Sequence, residues 1–341
     1  MATHSRIAIT GAASLLGKEM NEALADSSFS TAEFLLFDDE EALGLLEAVG
    51  DEVSVVQRIE ADSFNNVDFA FFAGAPEFTR QHWQSATHAG ASVIDLTDAL
   101  EDQEGVLVRA PWITEAGAPD LGTPAVIAAH PAAIAVALLA KAAASAGKLR
   151  SASATVLIPA SEHGRAAIDE LQQQTIGLLN FQNLAKNIFD TQAAFNLSPI
   201  FGEEGKLNLP ALEATVRKHY ALLRNEALPE TAIQLVHAPV FHGYGISMAL
   251  DYEEPVRQAD IKKAFRSDHL SLQDDDAEAP TNLSSAGQEN VLVRVRSSEA
   301  NADPTRRYWL WATADNLRIA TLNAIACATE LGRLRPLGEV Q

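Results

Sequence analysis

Cysteine is almost missing from this chain, since Cys327 is the only one among 341 residues. A lone cysteine excludes an intramolecular disulfide framework and fits the reducing conditions of the cytoplasm. Residues 317–333 place apolar side chains on one face of a predicted helix, and Cys327 lies on that face. We therefore predict that Cys327 is a packed core thiol rather than a nucleophile.

Basic residues are also scarce. Lys and Arg number 25 against 46 Asp and Glu, which gives a formal net charge of −21. Such a protein repels phosphate backbones and anionic lipid surfaces, so we expect no nucleic acid partner and no membrane partner. No apolar run reaches the roughly 18 residues that a membrane span needs, and residues 1–6 lack the pattern of a signal peptide. We expect a cytoplasmic protein.

The length of the chain and its 47% hydrophobic residues predict two globular domains. In the first third, apolar runs of strand length alternate with helical periodicity. These runs lie at residues 6–10, 34–37, 67–72 and 93–95. Continuous apolar strands separated by helices predict a parallel sheet covered on both faces, so we expect an α/β fold with a Rossmann-like first domain.

A glycine loop follows the first predicted strand and opens a predicted helix. It reads Gly-Ala-Ala-Ser-Leu-Leu-Gly, from Gly11 to Gly17. Two glycines at this spacing allow a tight turn and close approach of the backbone to a phosphate. Ser14 lies at the middle position, where its side chain would crowd a pyrophosphate or take the place of one water.

Four acidic residues follow the second predicted strand directly, from Asp38 to Glu41. One acid at this point accepts hydrogen bonds from the adenosine ribose of NAD. The other interpretation is a solvated loop beside a helix N-terminus, where acids are favoured. Under both interpretations the cluster would repel the 2′-phosphate of NADP, so NAD is possible and NADP is disfavoured.

The middle of the chain predicts a second domain. Pro131 begins an alanine-rich helix, and another helical pattern covers residues 168–179. Strand patterns cover residues 149–159, 233–241, 246–252, 291–296 and 308–312. This mixture predicts an α+β domain with a mainly antiparallel sheet. Asp315 and Asn316 supply capping chemistry for the last helix.

The order of these elements resembles that of the aspartate-semialdehyde dehydrogenase family over nearly the whole chain. The part around Ile-Pro-Ala-Ser-Glu-His-Gly at 158–164 looks closest to the bacterial Usg-1 subgroup, which lacks the catalytic cysteine. The matching segments are residues 11–17, 35–37, 71–74, 93–95, 129–133, 195–196, 239–243, 280–281, 286–287, 315–318 and 322–324.

The resemblance implies a homodimer and two domains. The first would comprise residues 1–130 together with 315–341, because the C-terminal helix of the family returns to the nucleotide domain. The second would comprise residues 131–314 and form the dimer contact, where the aromatic run at 308–311 offers apolar surface. The cofactor-binding positions implied are Gly11, Ser14, Leu15, Leu16, Gly17, Asp38, Ala73, Gly74 and Asn316.

The resemblance also locates the family's catalytic positions, and this chain departs from the family at each. The nucleophilic cysteine falls at Ala133, and the catalytic histidine falls at Tyr244. The arginine that binds the substrate carboxylate falls at His237, and the glutamine that orients the acyl intermediate falls near Ile158. A further anion-binding arginine falls near Leu100 and Glu101. Without a thiolate the family's covalent intermediate cannot form, so we predict no catalytic residue for that reaction.

Three functional hypotheses follow. The chain is a non-catalytic dimeric binding or regulatory protein, an NAD-dependent oxidoreductase-like enzyme with altered chemistry in the same cleft, or a structural partner of an active dehydrogenase subunit. Four histidines, His130, His163, His237 and His242, lack compact metal-ligand spacing, so we predict no metal site. Ser161-Glu162-His163 resembles hydrolase residues, but sequence neighbours point to different faces, and a Gly-x-Ser-x-Gly elbow is absent.

Overall fold

The computed structural model describes residues 5–39, 42–49, 52–114, 116–224, 228–299 and 303–334. The chain divides into two compact units. Unit 1 comprises residues 1–130 and 320–341, and unit 2 comprises residues 131–319. The second boundary lies inside the last helix, a few residues beyond the boundary expected from the sequence.

The helices and strands of unit 1 follow the predicted alternation. In chain order they are β1 (Arg6–Thr10), α1 (Leu15–Ala25), β2 (Glu33–Phe37), β3 (Leu46–Val49), β4 (Glu52–Val55), β5 (Phe69–Phe72), α2 (Pro76–His88), β6 (Ser92–Asp95), β7 (Leu107–Arg109) and β8 (Val126–Ala128). Six strands form one parallel sheet in the order β2-β1-β5-β6-β8-β7, while β3 and β4 pair as an antiparallel hairpin.

The parallel sheet has a hydrophobic core on each face, as the apolar runs predict. Alternate residues of β1 enter different cores, since Ile7 and Ile9 pack in one and Ala8 packs in the other. The first core also contains Cys327, and the second contains Trp83 from α2. Burial on both faces explains why these strands read as continuous apolar runs.

Unit 2 contains a second six-stranded sheet and its covering helices. The elements are α3 (Pro131–Ala146), β9 (Leu149–Ile158), a 3-10 helix (Ala160–His163), α4 (Arg165–Leu179), α5 (Leu209–Leu223), β10 (Thr231–His237), β11 (Tyr244–Val256), α6 (Gln258–Ala264), β12 (Leu270–Leu272), β13 (Val291–Ser297) and β14 (Thr305–Ala314). The last helix, α7 (Asn316–Gly332), begins in unit 2, and its residues from Ala320 onward belong to unit 1. The strand order is β10-β9-β11-β14-β13-β12. The inner pairings are antiparallel and the two edge pairings are parallel, so the sheet is mixed.

One strand ends earlier than the sequence predicted. The pattern at 233–241 indicates a strand reaching Phe241, but β10 ends at His237. Pro239 lacks an amide hydrogen for further pairing. Gly243 has a φ of +82°, which turns the chain just before β11 begins. The segment between the two strands is thus a loop, and it carries His242.

Asp315 caps the N-terminus of helix α7, which begins at Asn316. Its Oδ1 accepts hydrogen bonds from the amides of Leu317 at 3.1 Å and Arg318 at 3.0 Å. This satisfies amide groups that a helix N-terminus leaves without a partner in the helix. The helix carries Cys327, which is buried as predicted, and burial raises the pKa of its thiol. Among the described residues, no helix combines the length and hydropathy required to cross a bilayer.

Candidate functional site

The glycine loop of unit 1 packs tightly against the end of β5. Gly11 has a φ of +74°, and a Cβ placed on it would lie 2.2 Å from the Cα of Gly74. A Cβ on Gly17 would lie 2.1 Å from the carbonyl oxygen of Gly11. Both glycines are therefore needed for close backbone approach within the loop itself.

Ser14 anchors this loop as the cap of α1. Its hydroxyl accepts a hydrogen bond from the Gly17 amide at 2.9 Å and donates one to the Ala73 carbonyl at 2.8 Å. The serine thus links the helix start to the end of β5. Leu15 and Leu16 form the first turn of α1 and are partly buried. These positions, like Gly74, gather at one end of the parallel sheet.

Asp38 faces the glycine loop from the end of β2. Its Oδ2 accepts a hydrogen bond from the Ala13 amide at 2.7 Å, and its Oδ1 accepts one from the Asp39 amide. The carboxylate is therefore fixed beside the loop, at the position for which the sequence left open a ribose-binding acid or a solvated acidic loop. Glu40 and Glu41, the rest of the acidic cluster, lie outside the described residues.

Ala133, where the resemblance implies the family's nucleophile, lies in the first turn of α3 in unit 2. Its side chain is fully buried, as are most residues of this alanine-rich helix. A methyl group cannot attack a carbonyl carbon. In unit 1, Leu100 is buried in the core, and neither it nor its acidic neighbour Glu101 replaces an anion-binding arginine.

Ile158 and His237 are neighbours in the sheet of unit 2. They are the last residues of β9 and β10 and pair in parallel register. His237 is fully buried, and neither ring nitrogen has a hydrogen-bond partner. Its ring lies among Phe189, Phe201 and His163, at centroid distances of 5.0, 5.3 and 6.5 Å. Burial, with a contribution from His163, lowers the pKa of His237 to about 4, so the ring is neutral at pH 7.

Tyr244, where the resemblance implies the family's histidine, is the first residue of β11 and is fully buried. Its hydroxyl donates a hydrogen bond of 2.6 Å to Oε2 of Glu162. Asn316 donates a second hydrogen bond to the same oxygen, at 3.2 Å. The carboxylate of Glu162 thus receives bonds from both side chains, and the tyrosine is fixed by a strong charge-assisted bond.

A second set of hydrogen bonds lies beside the bonds of Tyr244, Glu162 and Asn316. The imidazole of His242 lies between two partners, with Nδ1 at 3.1 Å from Oγ of Ser161 and Nε2 at 2.9 Å from Oδ2 of Asp315. Ser161 Oγ also donates to Oδ1 of Asn316 at 3.1 Å. Asn316 therefore joins the two sets of hydrogen bonds into one polar network in unit 2.

Asp315 is held as an ionised carboxylate in this network. Burial alone would raise its pKa, but hydrogen bonds from His242 and from the amides of Arg318 and Gly287 outweigh that effect, so the pKa lies below its usual range. Within the part of the chain that the structure describes, no group of three or more His, Cys, Asp or Glu side chains has metal-binding geometry.

The sequence did not reveal these partners. Ser161 meets His242 rather than its near neighbour His163, and Tyr244 meets Glu162. His242 and Tyr244 both reach the 3-10 helix. Asp315 was recognised only as a cap. Asn316, predicted as a cofactor contact, belongs to unit 2, where its amide serves this network.

Comparison with known proteins places the fold and the site in context. Two protein-family models match this chain. The family model "Semialdehyde dehydrogenase, NAD binding domain" matches residues 6–118, and the family model "Semialdehyde dehydrogenase, dimerisation domain" matches residues 139–319. A USG-1 protein homolog of Pseudomonas aeruginosa is 31% identical, with 94% of this chain and 95% of that protein covered. An aspartate-semialdehyde dehydrogenase of Rickettsia bellii is 25% identical, with 95% and 97% covered.

The solved structures agree with this assignment. The structure of a probable aspartate-semialdehyde dehydrogenase from Pseudomonas aeruginosa superposes with a TM-score of 0.84 at 26% identity, covering 97% of this chain and 99% of that one. The resemblance drawn from the sequence, including the likeness to Usg-1 proteins, is confirmed, as is the predicted α/β fold. This chain belongs to the semialdehyde dehydrogenase family.

Proposed function

We propose that this chain does not catalyse the dehydrogenase reaction of its family and acts as a dimeric binding or regulatory protein. The proposal rests mainly on Ala133, whose buried methyl group occupies the position that the resemblance gives to the family's nucleophile. The only cysteine, Cys327, belongs to a different element and is itself buried in a core. No thiol is thus available for a thioester intermediate.

The neighbouring positions support the same proposal. Tyr244 replaces the family's histidine, and its hydroxyl is held by Glu162 at 2.6 Å. A phenol, whose ordinary pKa is near 10, exchanges protons poorly at neutral pH. His237 replaces the arginine clamp and is neutral, so it supplies no charge for a substrate carboxylate. Ile158 has no amide to orient an acyl group.

For the cofactor, we propose that NAD binds weakly or not at all and that NADP does not bind usefully. Asp38 lies at the end of β2 with its carboxylate beside the glycine loop. An acid there suits ribose hydroxyl groups and repels a 2′-phosphate. Isothermal titration calorimetry with both cofactors tests this, and a higher affinity for NADP than for NAD would contradict it.

The proposed homodimer uses the sheet of unit 2. The family model matching this unit is a dimerisation domain. On β14, Tyr308 and Leu310 face the core, while Trp309 between them is 50% exposed. An exposed tryptophan on a sheet is a typical interface residue. Light scattering at micromolar concentration should report a dimer, and a monomer would remove this part of the proposal. Cytoplasmic location, expected from the single cysteine, belongs to the same proposal.

The experiment that tests the proposed loss of activity is a dehydrogenase assay of the native chain. Phosphate-dependent reduction of NAD or NADP by aspartate semialdehyde should not exceed the enzyme-free blank. Thermal-shift measurements with NAD, NADP, ADP and acyl phosphates then search for the bound ligand, since a ligand that binds the folded state raises the melting temperature. Turnover that survives repurification would overturn the proposal.

A further inference from the structure

We propose that Ser161, His242 and Asp315 form a nucleophilic triad that accepts an acyl group from an activated carboxylic ester. The inference goes beyond the proposed function, which concerns the lost dehydrogenase reaction. It also stands independently of that loss, because transfer of an acyl group to a serine needs neither Ala133 nor a nicotinamide cofactor. Acylation and dehydrogenation are read by separate assays, so the failure of one proposal is distinguishable from the failure of the other.

The geometry of the triad supplies the first argument. Oγ of Ser161 lies 3.1 Å from Nδ1 of His242, and Nε2 of the same ring lies 2.9 Å from Oδ2 of Asp315. A carboxylate accepts hydrogen bonds only, so Nε2 carries the proton that Asp315 binds. In the neutral ring, Nδ1 is then the basic nitrogen, and it faces the serine hydroxyl. This is the serine, base and orienting acid arrangement that nucleophilic catalysis requires.

Asp315 is positioned by the backbone. Its Oδ1 accepts the amides of Leu317 and Arg318, and its Oδ2 accepts the amide of Gly287 at 2.8 Å besides the bond from His242. The side chain is 5% exposed. These amides hold the carboxylate in one orientation and stabilise its charge. Asp315 is therefore a positioning residue that fixes the tautomer of His242.

Ser161 and His242 are held together by their own backbones. The amide of Ala160 donates to the carbonyl of Val240 at 2.9 Å, and the amide of Ser161 donates to the carbonyl of Phe241 at 2.9 Å. Asn282 adds a side-chain hydrogen bond to the carbonyl of His242. The 3-10 helix and the loop before β11 are thus joined at the nucleophile and at the residue before it. Such support holds a catalytic pair at its working distance.

Solvent reaches the triad at His242. The side chain of His242 is 31% exposed, whereas Ser161 is 3% exposed. An acyl donor would therefore approach from the histidine side. Glu162, the residue after Ser161, brings a second carboxylate into the same network through its bonds from Tyr244 and Asn316. Two carboxylates repel anionic donors, so we expect neutral esters to be the preferred class.

The acylation step balances with the groups of this site and the ester. In the resting state the single Ser161 hydroxyl proton is donated to Asn316 Oδ1, and it must turn to His242 Nδ1, also 3.1 Å from Oγ, before the attack. As Oγ attacks the carbonyl carbon, its proton moves to Nδ1, and an Oγ–C bond forms. The C–O bond to the leaving group then breaks, and the departing oxygen keeps the electron pair. His242 returns the proton to a basic leaving group, or to solvent when a stable phenolate departs.

The test uses the full chain and p-nitrophenyl acetate as the probe. Peptide mapping by mass spectrometry should find one acetyl group on Ser161 of the native protein. Ser161→Ala should lose that adduct, whereas Ser145→Ala should label like the native chain, because Ser145 only bonds a carbonyl of its own helix. His242→Gln should slow acetylation about a hundredfold or more, since it removes the general base.

The variant Asp315→Asn tests whether Asp315 orients the ring of His242 for catalysis or only stabilises the fold. The asparagine oxygen can still cap α7, but its amide nitrogen would donate to Nε2 of His242 and force the proton onto Nδ1. We expect acetylation of Ser161 to fall about a hundredfold or more. The melting temperature should also drop, because the Gly287 amide would face a second donor, so acetylation is measured well below the melting temperature of the variant. If Ser161→Ala does not fold, Ser161→Cys serves instead, because a thiol at this site should also be acetylated.

Acetyl groups found only on lysines, or on Ser161 at the same rate in native chain and His242→Gln, would overturn the proposal. Unchanged acetylation in a folded Asp315→Asn protein would overturn the role of the acid. Adduct formation on Ser161 that depends on His242 and Asp315 would support a second chemistry in this fold.

Discussion

The hydrogen bond between Tyr244 and Glu162 gives a sharp test of the altered site. Tyr244→Phe removes one oxygen and leaves the buried ring in place. The lost bond measures 2.6 Å and ends on a carboxylate oxygen that Asn316 also contacts, at 3.2 Å. The variant thus isolates the contact between Tyr244 and Glu162, with little change in packing.

The expected cost follows from the type of acceptor. A hydrogen bond to a charged group contributes about 1.5–3 kcal/mol, against about 1 kcal/mol for a bond between neutral groups. We therefore expect Tyr244→Phe to lower the free energy of unfolding by about 2 kcal/mol. For a unit of this size that corresponds to a melting temperature lower by about 4–8 °C.

Tyr252→Phe is the matched control. Tyr252 lies on the same strand, is also fully buried, and donates its hydroxyl to the neutral Ala143 carbonyl at 2.9 Å. Urea denaturation of both variants should show the larger loss for Tyr244→Phe. Equal losses would refute the reasoning, because they would mean that the carboxylate adds nothing to the bond.

Three further predictions concern the frame of the site. Gly11→Ala should lower the free energy of unfolding by at least about 3 kcal/mol, because the added Cβ would overlap Gly74. Gly90→Ala, at φ +90° with open space around the added Cβ, should lower the free energy of unfolding by about 1 kcal/mol. Thermal unfolding compares the two variants, and equal losses would contradict the packing argument. The pKa of His237 in the folded chain, about 4, lies below its ordinary value of 6.5, so the unfolded chain takes up the proton first as the pH falls. The contribution of His237 to the free energy of unfolding should therefore be complete above pH 6.5. It should fall by up to about 3 kcal/mol as the pH drops toward 4. His237→Phe should flatten this pH profile of unfolding, and an unchanged profile would assign the acid sensitivity to other groups. Cys327 should resist a thiol reagent until the protein unfolds, and rapid labelling of the native chain would contradict its burial.

The fold was largely predictable because its signals are local. Continuous apolar runs such as 69–72 indicate strands buried on both faces, and the glycine loop marks the turn between β1 and α1. Short strands were missed: β7 and β8 have three residues each, too few for a periodic pattern to show. The end of β10 was misjudged because the apolar run continues beyond His237, whereas the strand pairing stops before Pro239.

The site was less predictable because its partners are distant in sequence. His242 meets Ser161 across 81 positions, and Asn316 meets Glu162 across 154. No periodicity brings such residues together, since strand pairing between β9, β11 and β14 sets their distance. The resemblance predicts replacement of the family's catalytic residues at Ala133, Tyr244, His237 and Ile158, but the hydrogen bonds of Tyr244 come only from the three-dimensional arrangement.

The most direct test of the central claim is to restore the thiol. Ala133→Cys places a cysteine in the first turn of α3, and the variant is assayed beside the native chain for phosphate-dependent reduction of NAD or NADP by aspartate semialdehyde. We predict no turnover above the enzyme-free blank for either protein, because Tyr244, His237 and Ile158 would leave the thiol unactivated and the substrate unbound. Turnover by Ala133→Cys would show that the rest of the family's site still works, and turnover by the native chain would contradict the loss of activity itself.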